Sequence, residues 1–457
     1  MTATLTASSH LHTPQPSPAG FLLGSAAVFL IMVVLRTPLS GPIVNFDGFA
    51  SAICALIVFV SAAVAAFSWR HMRASRFRAF AMHMVALVAC ALGFVIADHV
   101  ALFAACWIAS GLLLARLIGH ADNWPAANRA SRSTARIFMA ADAALLTGLA
   151  LLCWRLGTSS IEELMASVSQ APRQSAEINA GALAIAALTR CAIPPVSGWL
   201  LSSMTAPTPV SALMHAGLVN AGGVLVLRFA PLLEAAPFVR ISLVAIGAAG
   251  ALYGAGIMLV RPDVKRALAG STVSQMSFMM MSCALGAYSA ALWHLLAHGL
   301  FKAWLFLGAG MTARTPQAKT AASVPVVGAL AATGITMAAL VTAGVIEMAQ
   351  PSFVPLSLAL LTALLATFSI VGHARRHAMA RGVALIAALA GFQAAGLTMT
   401  RALVGADGPT IAPAAAQILI ALIFASALAW QFWPRRKGPT MPRALYVHFL
   451  NAGVVTR

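Results

Sequence analysis

The chain has 457 residues, of which 60% are hydrophobic and only 9% are charged, and its mean hydropathy is +0.88. These values exclude a soluble globular protein and are typical of an all-α, polytopic membrane protein. The formal charge is +18, but the basic residues are spread along the chain, which favours a topology signal over nucleic-acid binding.

The hydropathy pattern divides the chain into three parts. Residues 1–19 are polar and are expected to form a cytoplasmic N-terminal segment, residues 20–432 a transmembrane domain, and residues 433–457 a basic cytoplasmic tail. Apolar runs of about 20 residues, long enough to cross a bilayer as a helix, give about fourteen spans. Their approximate centres are residues 28, 58, 88, 109, 146, 186, 220, 248, 277, 300, 337, 362, 393 and 421.

The basic residues cluster after the even-numbered spans. By the positive-inside rule, these connections and both termini lie in the cytoplasm, where they also suit an acidic partner or anionic lipid. The clusters are Arg70, Arg73, Arg76 and Arg78; Arg129, Arg132 and Arg136; Arg261, Lys265 and Arg266; Arg314 and Lys319; Arg375, Arg376 and Arg381; and Arg435, Arg436 and Lys437.

The chain carries no recognisable catalytic or cofactor motif. Its six cysteines lie in apolar spans without paired spacing, so they predict neither a disulfide framework nor a zinc site. The sequence also has no phosphate-binding glycine loop and no dinucleotide fingerprint. We therefore do not expect a self-contained enzyme; the chain is expected to hold no cofactor and no resident metal, with any redox or metal centre on another subunit.

Two isolated charges lie in different spans. Asp142 falls within residues 138–152, and Arg190 within residues 180–195. Because a charge inside a membrane is costly, the two residues are candidates for an ion pair. The sequence leaves open whether such a pair is a static structural contact or gates proton movement in a neighbouring site.

A proline motif precedes the next candidate. Pro207 and Pro209 flank Thr208, and two prolines so close predict a discontinuous membrane helix, a device found where backbone lines a hydrated cavity or packs against protein. His215 follows about a turn and a half later. We interpret it as a candidate proton relay beside the break.

The strongest candidate site lies within residues 290–310. His294, His298 and Lys302 are spaced four residues apart on one helical face, and no acidic residue occurs between Ala267 and Ala313. Steps of about 6 Å along the helix suit water-bridged proton transfer. Lysine changes protonation state where arginine cannot, and histidine both donates and accepts protons.

Other interpretations of these residues stay open. Lys302 could snorkel to the interface or pair statically with an acid on another helix. The histidines could form helix-to-helix hydrogen bonds or bind a metal, although neither has a third ligand nearby in sequence. Glu347, near the end of a later span, is a weaker candidate acid.

These motifs resemble the antiporter-like large membrane subunits of respiratory complex I and of Mrp-type cation/proton antiporters. The resemblance rests on residues 206–223, on residues 263–276 and on the run from His294 to Lys302. It implies repeated five-helix units with broken helices and a central hydrated axis. Positions that match the proton-path pattern of that superfamily are those of Asp142, His215, His294, His298 and Lys302.

Within the superfamily, residues 215–223 and 445–451 most resemble the membrane component of the DAB-type inorganic carbon transporters. The resemblance implies a bacterial inner-membrane protein that uses an H⁺ or Na⁺ gradient. It also implies a large cytoplasmic zinc-binding partner, similar to a carbonic anhydrase, that converts CO₂ to bicarbonate.

The chain departs from the superfamily pattern in one half-channel. Where the superfamily commonly has Trp-Glu, this chain has Trp107 followed by Ile108, and where it has a lysine, this chain has Arg190. Since arginine stays protonated, Arg190 is expected to act as a fixed charge opposite Asp142. Asp98 is a secondary candidate for the missing acid, with an interfacial position as the alternative.

Three other functions remain open from the sequence. The chain could be a proton-pumping subunit of a respiratory or hydrogenase complex, which the absent glutamate disfavours. It could be a stand-alone cation/proton antiporter. It could also be a non-conducting membrane anchor, an alternative that the replacements at Ile108 and Arg190 keep open.

Overall fold

The computed structural model describes residues 39–71, 77–121, 123–309, 354–355, 391–432 and 441–453. The predictions for residues 1–19, for the spans centred on residues 28, 337 and 362, and for Glu347 lie outside the described residues. The described chain is almost entirely helical, apart from a short antiparallel hairpin in which β1 (Leu39–Ser40) pairs with β2 (Asn45–Phe46).

Helices follow one another with short connections. The first eight are α1 (Gly48–His71), α2 (Phe77–Ile96), α3 (Val100–Ile118), α4 (Pro125–Leu156), α5 (Ile161–Ser167), α6 (Arg173–Arg190), α7 (Gly198–Ser202) and α8 (Thr208–Ala216). The next five are α9 (Ala221–Arg228), α10 (Ala230–Glu234), α11 (Pro237–Val260), α12 (Val264–Ala284) and α13 (Tyr288–Ala309). Residues 391–404 are also helical, followed by α14 (Ala414–Phe432) and α15 (Arg443–Asn451).

Seven helical segments of the described chain are long and apolar enough to cross a membrane: Gly48–Trp69, Phe77–Ile96, Val100–Ile118, Pro125–Leu156, Thr208–Arg228, Pro237–Val260 and Tyr288–Ala309. The chain is thus a multi-pass, all-α membrane protein, as the sequence predicts. Two further predicted spans, centred on residues 186 and 277, coincide with α6 and α12. These helices carry more polar side chains: α6 begins with Arg173, Gln174 and Glu177, and α12 includes Ser271, Thr272 and Gln275.

The segment Thr208–Arg228 corrects one prediction. Pro207 is the N-cap of α8 and Pro209 lies in its first turn, where a proline lacks only a donor that the helix does not use. The prolines begin this helix and do not interrupt it, so the predicted position of the break is wrong. The discontinuity lies later, at Gly217 and the 3₁₀ turn Leu218–Asn220, after which α9 continues to Arg228.

Close backbone contacts bring the site helices together. A Cβ on Gly254 of α11 would lie 2.3 Å from the backbone nitrogen of Ser274 in α12, and a Cβ on Gly299 of α13 would lie 2.6 Å from the carbonyl oxygen of Ala216 in α8. Real side chains do not tolerate these distances, so both positions require glycine. As a result α12 lies between α11 and α13, and α8 packs on α13.

Candidate functional site

Lys302 lies at the centre of the candidate site and its side chain is completely buried, with 0% exposure. Its Nζ atom donates hydrogen bonds to Ser271 Oγ at 2.9 Å and to the Leu268 carbonyl oxygen at 3.3 Å, both on α12. The ion pairs formed among the described residues are Arg190 with Asp142 and Arg266 with Asp263, so neither involves Lys302. Lys302 therefore has neutral partners on the facing helix and does not snorkel to the surface in this structure.

A line of hydrogen bonds connects Lys302 to His298. Gln275 Nε2 donates to Ser271 Oγ at 3.1 Å, and His298 Nδ1 is 2.6 Å from Gln275 Oε1. Because Ser271 and Gln275 are one turn apart on α12, they face His298 and Lys302, which are one turn apart on α13. The neutral side chains of α12 thus bridge two titratable groups that are too far apart to bond directly.

His294 extends the line along α13. Its ring lies 5.9 Å from the ring of His298, with an interplanar angle of 19°, and 5.4 Å from the ring of Phe278. In the described part of the chain, the Nε2 atoms of both histidines are buried without a hydrogen-bond partner. No group of three potential metal-ligating side chains occurs there, so the described residues offer two unpaired imidazole nitrogens and no closed metal site.

His215 approaches Lys302 from the broken span. It is 0% exposed, its Nδ1 atom lies 3.0 Å from Thr272 Oγ1, and its ring stacks on Phe306 with centroids 4.2 Å apart. Thr272 in turn donates to the carbonyl oxygen of Leu268, which also accepts from Lys302. One backbone carbonyl therefore joins the His215 branch to the Lys302 branch.

Side chains form hydrogen bonds with the backbone carbonyl groups at the break in this span. Asn220 Nδ2 donates to the carbonyl oxygens of Ala216 at 2.9 Å and Leu295 at 3.4 Å, and Cys191 Sγ lies 3.1 Å from the carbonyl oxygen of Val219. Carbonyls released by a helix break are costly in a membrane unless they find such partners. The carbonyl oxygens of Ala216 and Val219, which lie at the break a few residues after His215, are therefore both paired.

Several members of this network were not among the predicted site residues: Ser271, Thr272, Gln275 and Asn220. The signal that would have identified them is their spacing: Ser271 and Gln275 fall one turn apart in a segment that has no charged residue after Arg266. Neutral polar residues are common in membrane helices, which is why this signal is weak on its own.

Asp142 and Arg190 form a second, separate cluster. Arg190 Nη2 lies 2.9 Å from Asp142 Oδ2, and Trp107 Nε1 donates to Asp142 Oδ1 at 2.7 Å. Arg190 Nη2 also donates to the carbonyl oxygen of Trp107 at 2.8 Å. Both charged side chains are almost fully buried. The two candidate residues therefore form the ion pair for which the sequence made them candidates.

The surroundings of Arg190 fit a guanidinium group closely. Its Cζ atom lies 4.6 Å from the ring centroid of Trp107 and 4.4 Å from that of Phe138. A Cβ on Gly111 would lie 2.7 Å from Arg190 Nη1 and Nη2, so this glycine provides the space for the guanidinium. The cluster is built to hold a permanent positive charge against one carboxylate.

Asp98, the secondary candidate, has local partners. Ser160 Oγ donates to Asp98 Oδ2 at 2.6 Å and the Glu162 backbone nitrogen donates to Asp98 Oδ1 at 3.1 Å. These bonds fix the start of α5, which is a structural role. Asp98 also lines a cavity of about 680 Å³, together with Asn45, Asp47, Phe49, Ile161, Glu162, Met165, Leu227, Arg228, Ala230, Pro231, Glu234, Tyr288, Leu403, Val404 and Ala406.

A comparison with protein families matches residues 97–320 to the family described as NADH:quinone oxidoreductase/Mrp antiporter, transmembrane region. The matched range includes the Asp142 and Arg190 cluster and the whole network around Lys302. Both clusters therefore lie in the part of the chain that carries the family pattern.

Among curated proteins, the chain is 37% identical over 229 residues to a "Probable inorganic carbon transporter subunit DabB" of Hydrogenovibrio crunogenus, covering 50% of this chain and 44% of that protein. It is 30% identical over 432 residues to the "Probable inorganic carbon transporter subunit DabB2" of Halothiobacillus neapolitanus, covering 89% of this chain and 77% of that protein. An NADH-quinone oxidoreductase subunit L of Mycobacterium tuberculosis is 38% identical over 219 residues, 47% of this chain and 35% of that protein.

The match thus spans less than half of the length of the Hydrogenovibrio and Mycobacterium proteins. Among solved structures, the Mrp complex from Dietzia sp. DQ12-45-1b superposes with a TM-score of 0.64 at 24% identity, covering 94% of this chain and 55% of that chain. At this identity the likeness establishes the antiporter-like fold alone.

Proposed function

The chain belongs to the complex I/Mrp superfamily of antiporter-like membrane subunits, in its DabB branch, and from that premise we propose that it translocates a cation, H⁺ or Na⁺, to drive an inorganic carbon pump. The observation that carries the proposal is the buried line of Lys302, Ser271, Gln275 and His298, because these residues join titratable groups across the interior of a membrane protein.

Lys302 is the central group of the proposed path. Lysine exists in a charged and a neutral form, and its neighbours here are neutral side chains and a carbonyl that accommodate either form. His298, His294 and His215 supply nitrogens that donate or accept a proton within the same interior. Hydrogen bonds and intervening water would complete the steps between them.

The Arg190 cluster supports a path through the Lys302 half alone. Arginine does not release its proton, and Asp142 is occupied by Arg190 and Trp107. This half of the molecule therefore contributes a fixed ion pair, in contrast to the two-site relay of complex I type.

We further propose a cytoplasmic partner with the zinc chemistry of a carbonic anhydrase. The names of the DabB relatives as inorganic carbon transporter subunits support a partner in carbon transport; the zinc chemistry follows from the resemblance to the DAB-type family. In this proposal the chain lies in the bacterial inner membrane with both termini in the cytoplasm, and the partner converts CO₂ to bicarbonate while cation flow through the chain drives the reaction forward.

The test is to purify the chain in mild detergent from its native host, identify the proteins that co-purify by mass spectrometry and measure zinc. We expect a large soluble protein with stoichiometric zinc. Recovery of quinone-reductase subunits, or of other antiporter subunits without a zinc protein, would overturn the carbon-pump proposal and favour the respiratory or Mrp-type function.

The buried ion pair favours one alternative, a non-conducting anchor that only holds a catalytic partner at the membrane. A pair that fills its own site, as Asp142 and Arg190 do, is what an anchor would retain. The anchor predicts that inorganic carbon uptake is unaffected when Lys302 is replaced, whereas the translocation proposal predicts a complete loss.

A further inference from the structure

The last described helix, α15, is attached to α11 near its C-terminal end. A Cβ on Gly256 of α11 would lie 2.5 Å from Phe449 Cζ, and the ring of Tyr253 lies 5.5 Å from that of Phe449. Arg261, which follows α11, donates to the carbonyl oxygen of Ala452. These contacts fix the end of α15 against one end of a membrane span.

The contact residues of α11 set the depth of this end of α15. The 24 residues of α11 extend about 36 Å, so about 3 Å projects at each end beyond a hydrocarbon core of about 30 Å. Gly256 and Tyr253 precede the last residue of the span, Val260, by about 6 Å and 10 Å along the helix. Phe449 therefore lies roughly 3–7 Å inside the hydrocarbon boundary.

Other apolar side chains of α15 are exposed close to this depth. Leu445 is 48% exposed and Tyr446 is 40% exposed, and no residue of the helix is buried. Leu445 lies one turn before Phe449 on the same face, about 6 Å along the helix, so it stays within the membrane or its headgroup region at any tilt. Some apolar material must therefore cover these side chains.

The depth identifies that material as lipid. Interfacial amphipathic helices insert their apolar face about 5–10 Å into the boundary between headgroups and acyl chains. The opposite side of α15 is polar at Asn451, which is exposed and lies about 160° from Phe449 around the helix. A soluble partner would instead be expected to contact residues outside the hydrocarbon boundary.

The charges near α15 are complementary to an anionic lipid surface. Arg443, the first residue of the helix, is exposed, and Arg435, Arg436 and Lys437 precede it in the sequence. Basic residues beside an interfacial helix attract anionic headgroups. The helix thus combines an apolar face at the depth of the acyl chains with a basic residue at its start.

We propose that α15 is an interfacial helix that docks on membrane lipid, with acyl chains against Leu445 and Tyr446 and anionic headgroups at Arg443. The docking surface lies on the side of the membrane that carries Arg261. This inference does not depend on the carbon-pump proposal, because it uses none of the residues around Lys302.

The test places the photo-reactive amino acid p-benzoyl-phenylalanine at Leu445 or at Tyr446 in the full chain, with its co-purifying partner, in native membranes. After irradiation, mass spectrometry of the chain identifies what each probe has captured. We expect phospholipid adducts at both positions. The probe at Tyr446 replaces one aromatic ring by another, so it changes an exposed position very little.

Two further probe positions serve as controls. Val85, in the middle of the span α2, is 70% exposed and is expected to capture lipid. Asn451, on the polar side of α15, is expected to give at least about threefold fewer lipid adducts than Leu445. If both α15 probes capture protein, or capture nothing while Val85 captures lipid, the proposal is overturned.

The headgroups of the captured lipids test the role of charge. At Leu445 we expect the anionic share of the adducts to be at least about twice its share in the bulk lipid. Arg443→Gln should reduce this enrichment while the adducts themselves persist. Adducts of bulk composition in the chain with Arg443 would refute the preference for anionic lipid.

Discussion

The hydrogen-bond partners of Lys302 are uncharged, so they do not neutralise its positive charge. Its 0% exposure and its bonds to a hydroxyl and a carbonyl distinguish it from Lys265, which lies half-buried at the start of α12. Burying a lysine without an acidic partner is energetically unfavourable, which makes Lys302 a candidate functional residue. The residue is therefore the natural position for the first functional test.

We predict that Lys302→Ala lowers cation-driven inorganic carbon uptake at least tenfold, equivalent to about 1.4 kcal/mol or more, without lowering the amount of protein in the membrane. Lys302→Arg is expected to be equally inactive, because arginine keeps its proton. Uptake of labelled bicarbonate and CO₂ by cells measures the effect. Lys265→Ala, at the start of α12, is the matched control and should stay active; uptake at the wild-type level in Lys302→Ala would contradict the prediction.

The Asp142 and Arg190 pair makes a stability prediction. Removing one partner leaves the other charge buried alone, so Arg190→Met should destabilise the protein by about 3–5 kcal/mol. The double variant Asp142→Leu/Arg190→Met leaves no unpaired charge and should recover most of this loss. Thermal unfolding in detergent measures both.

The same variants separate the two roles that the sequence left open. If the recovered double variant also transports, the pair is structural; if it folds but does not transport, the pair acts on the path. Unfolding of Arg190→Met at the wild-type temperature would show that the pair contributes nothing measurable to stability.

At the residue scale, charges were predictable because they stand out in apolar sequence. Lys302, His298 and His215 were identified in this way, as were Asp142 and Arg190. Ser271 and Gln275 were not, since neutral polar residues carry little signal and their partner lies on another helix. Which hydroxyl faces the lysine is decided by the packing of α12 on α13, and no local pattern encodes it.

Among the elements, the span Thr208–Arg228 shows where sequence reasoning fails. Proline predicts either a helix start or a break, and here the start is what the structure has. The break at Gly217 depends on Asn220 and Cys191 reaching the released carbonyls. Those contacts are formed between segments, so the break was predictable in kind but not in position.

The contact between α11 and α12 makes a prediction at this scale. Gly254→Ala should force the two helices apart, because its Cβ would lie 2.3 Å from a backbone nitrogen of Ser274. Overpacking of this kind costs about 1–3 kcal/mol, and it displaces the helix that carries Ser271 and Gln275. We expect a lower unfolding temperature and reduced uptake.

Gly181 provides the matched control. A Cβ there would meet its nearest atom, Val239 Cγ2, at 4.0 Å, which is an ordinary contact distance. Gly181→Ala should therefore be neutral in both assays. Equal stability of Gly254→Ala and Gly181→Ala would mean that the helices separate without cost.

For the molecule as a whole, the order of the spans was well predicted from hydropathy. The predicted centres at residues 58, 88, 109, 146, 186, 220, 248, 277, 300 and 421 all fall within described helical segments. Hydropathy succeeds because a membrane span must satisfy its backbone internally. It carries no information on which helices are neighbours, which is why the site network had to come from the structure.

The length of α4 allows a test of orientation. Its 32 residues extend about 48 Å, beyond a hydrocarbon core of about 30 Å, so its two ends must emerge on opposite sides. Arg132 lies near the first end, and Glu163 follows the second. If the basic end is cytoplasmic, as proposed, an impermeant maleimide should label Arg132→Cys only in inverted vesicles.

Glu163→Cys is the matched control and should be labelled only in vesicles of native orientation. The cysteine-containing parent chain gives the background, since its native thiols are half-buried or buried in the described chain. Labelling of Arg132→Cys from the outer side would reverse the proposed topology.

The line from Lys302 to His298 passes through the carboxamide of Gln275. An amide keeps its own hydrogens under ordinary conditions, so it transmits the direction of a hydrogen bond but does not hand a proton along. A proton that moves between Lys302 and His298 therefore needs water beside Gln275, because the amide itself does not carry it. If the chain translocates protons as proposed, their passage depends on water reaching both side chains, and the path is closed whenever that water is absent.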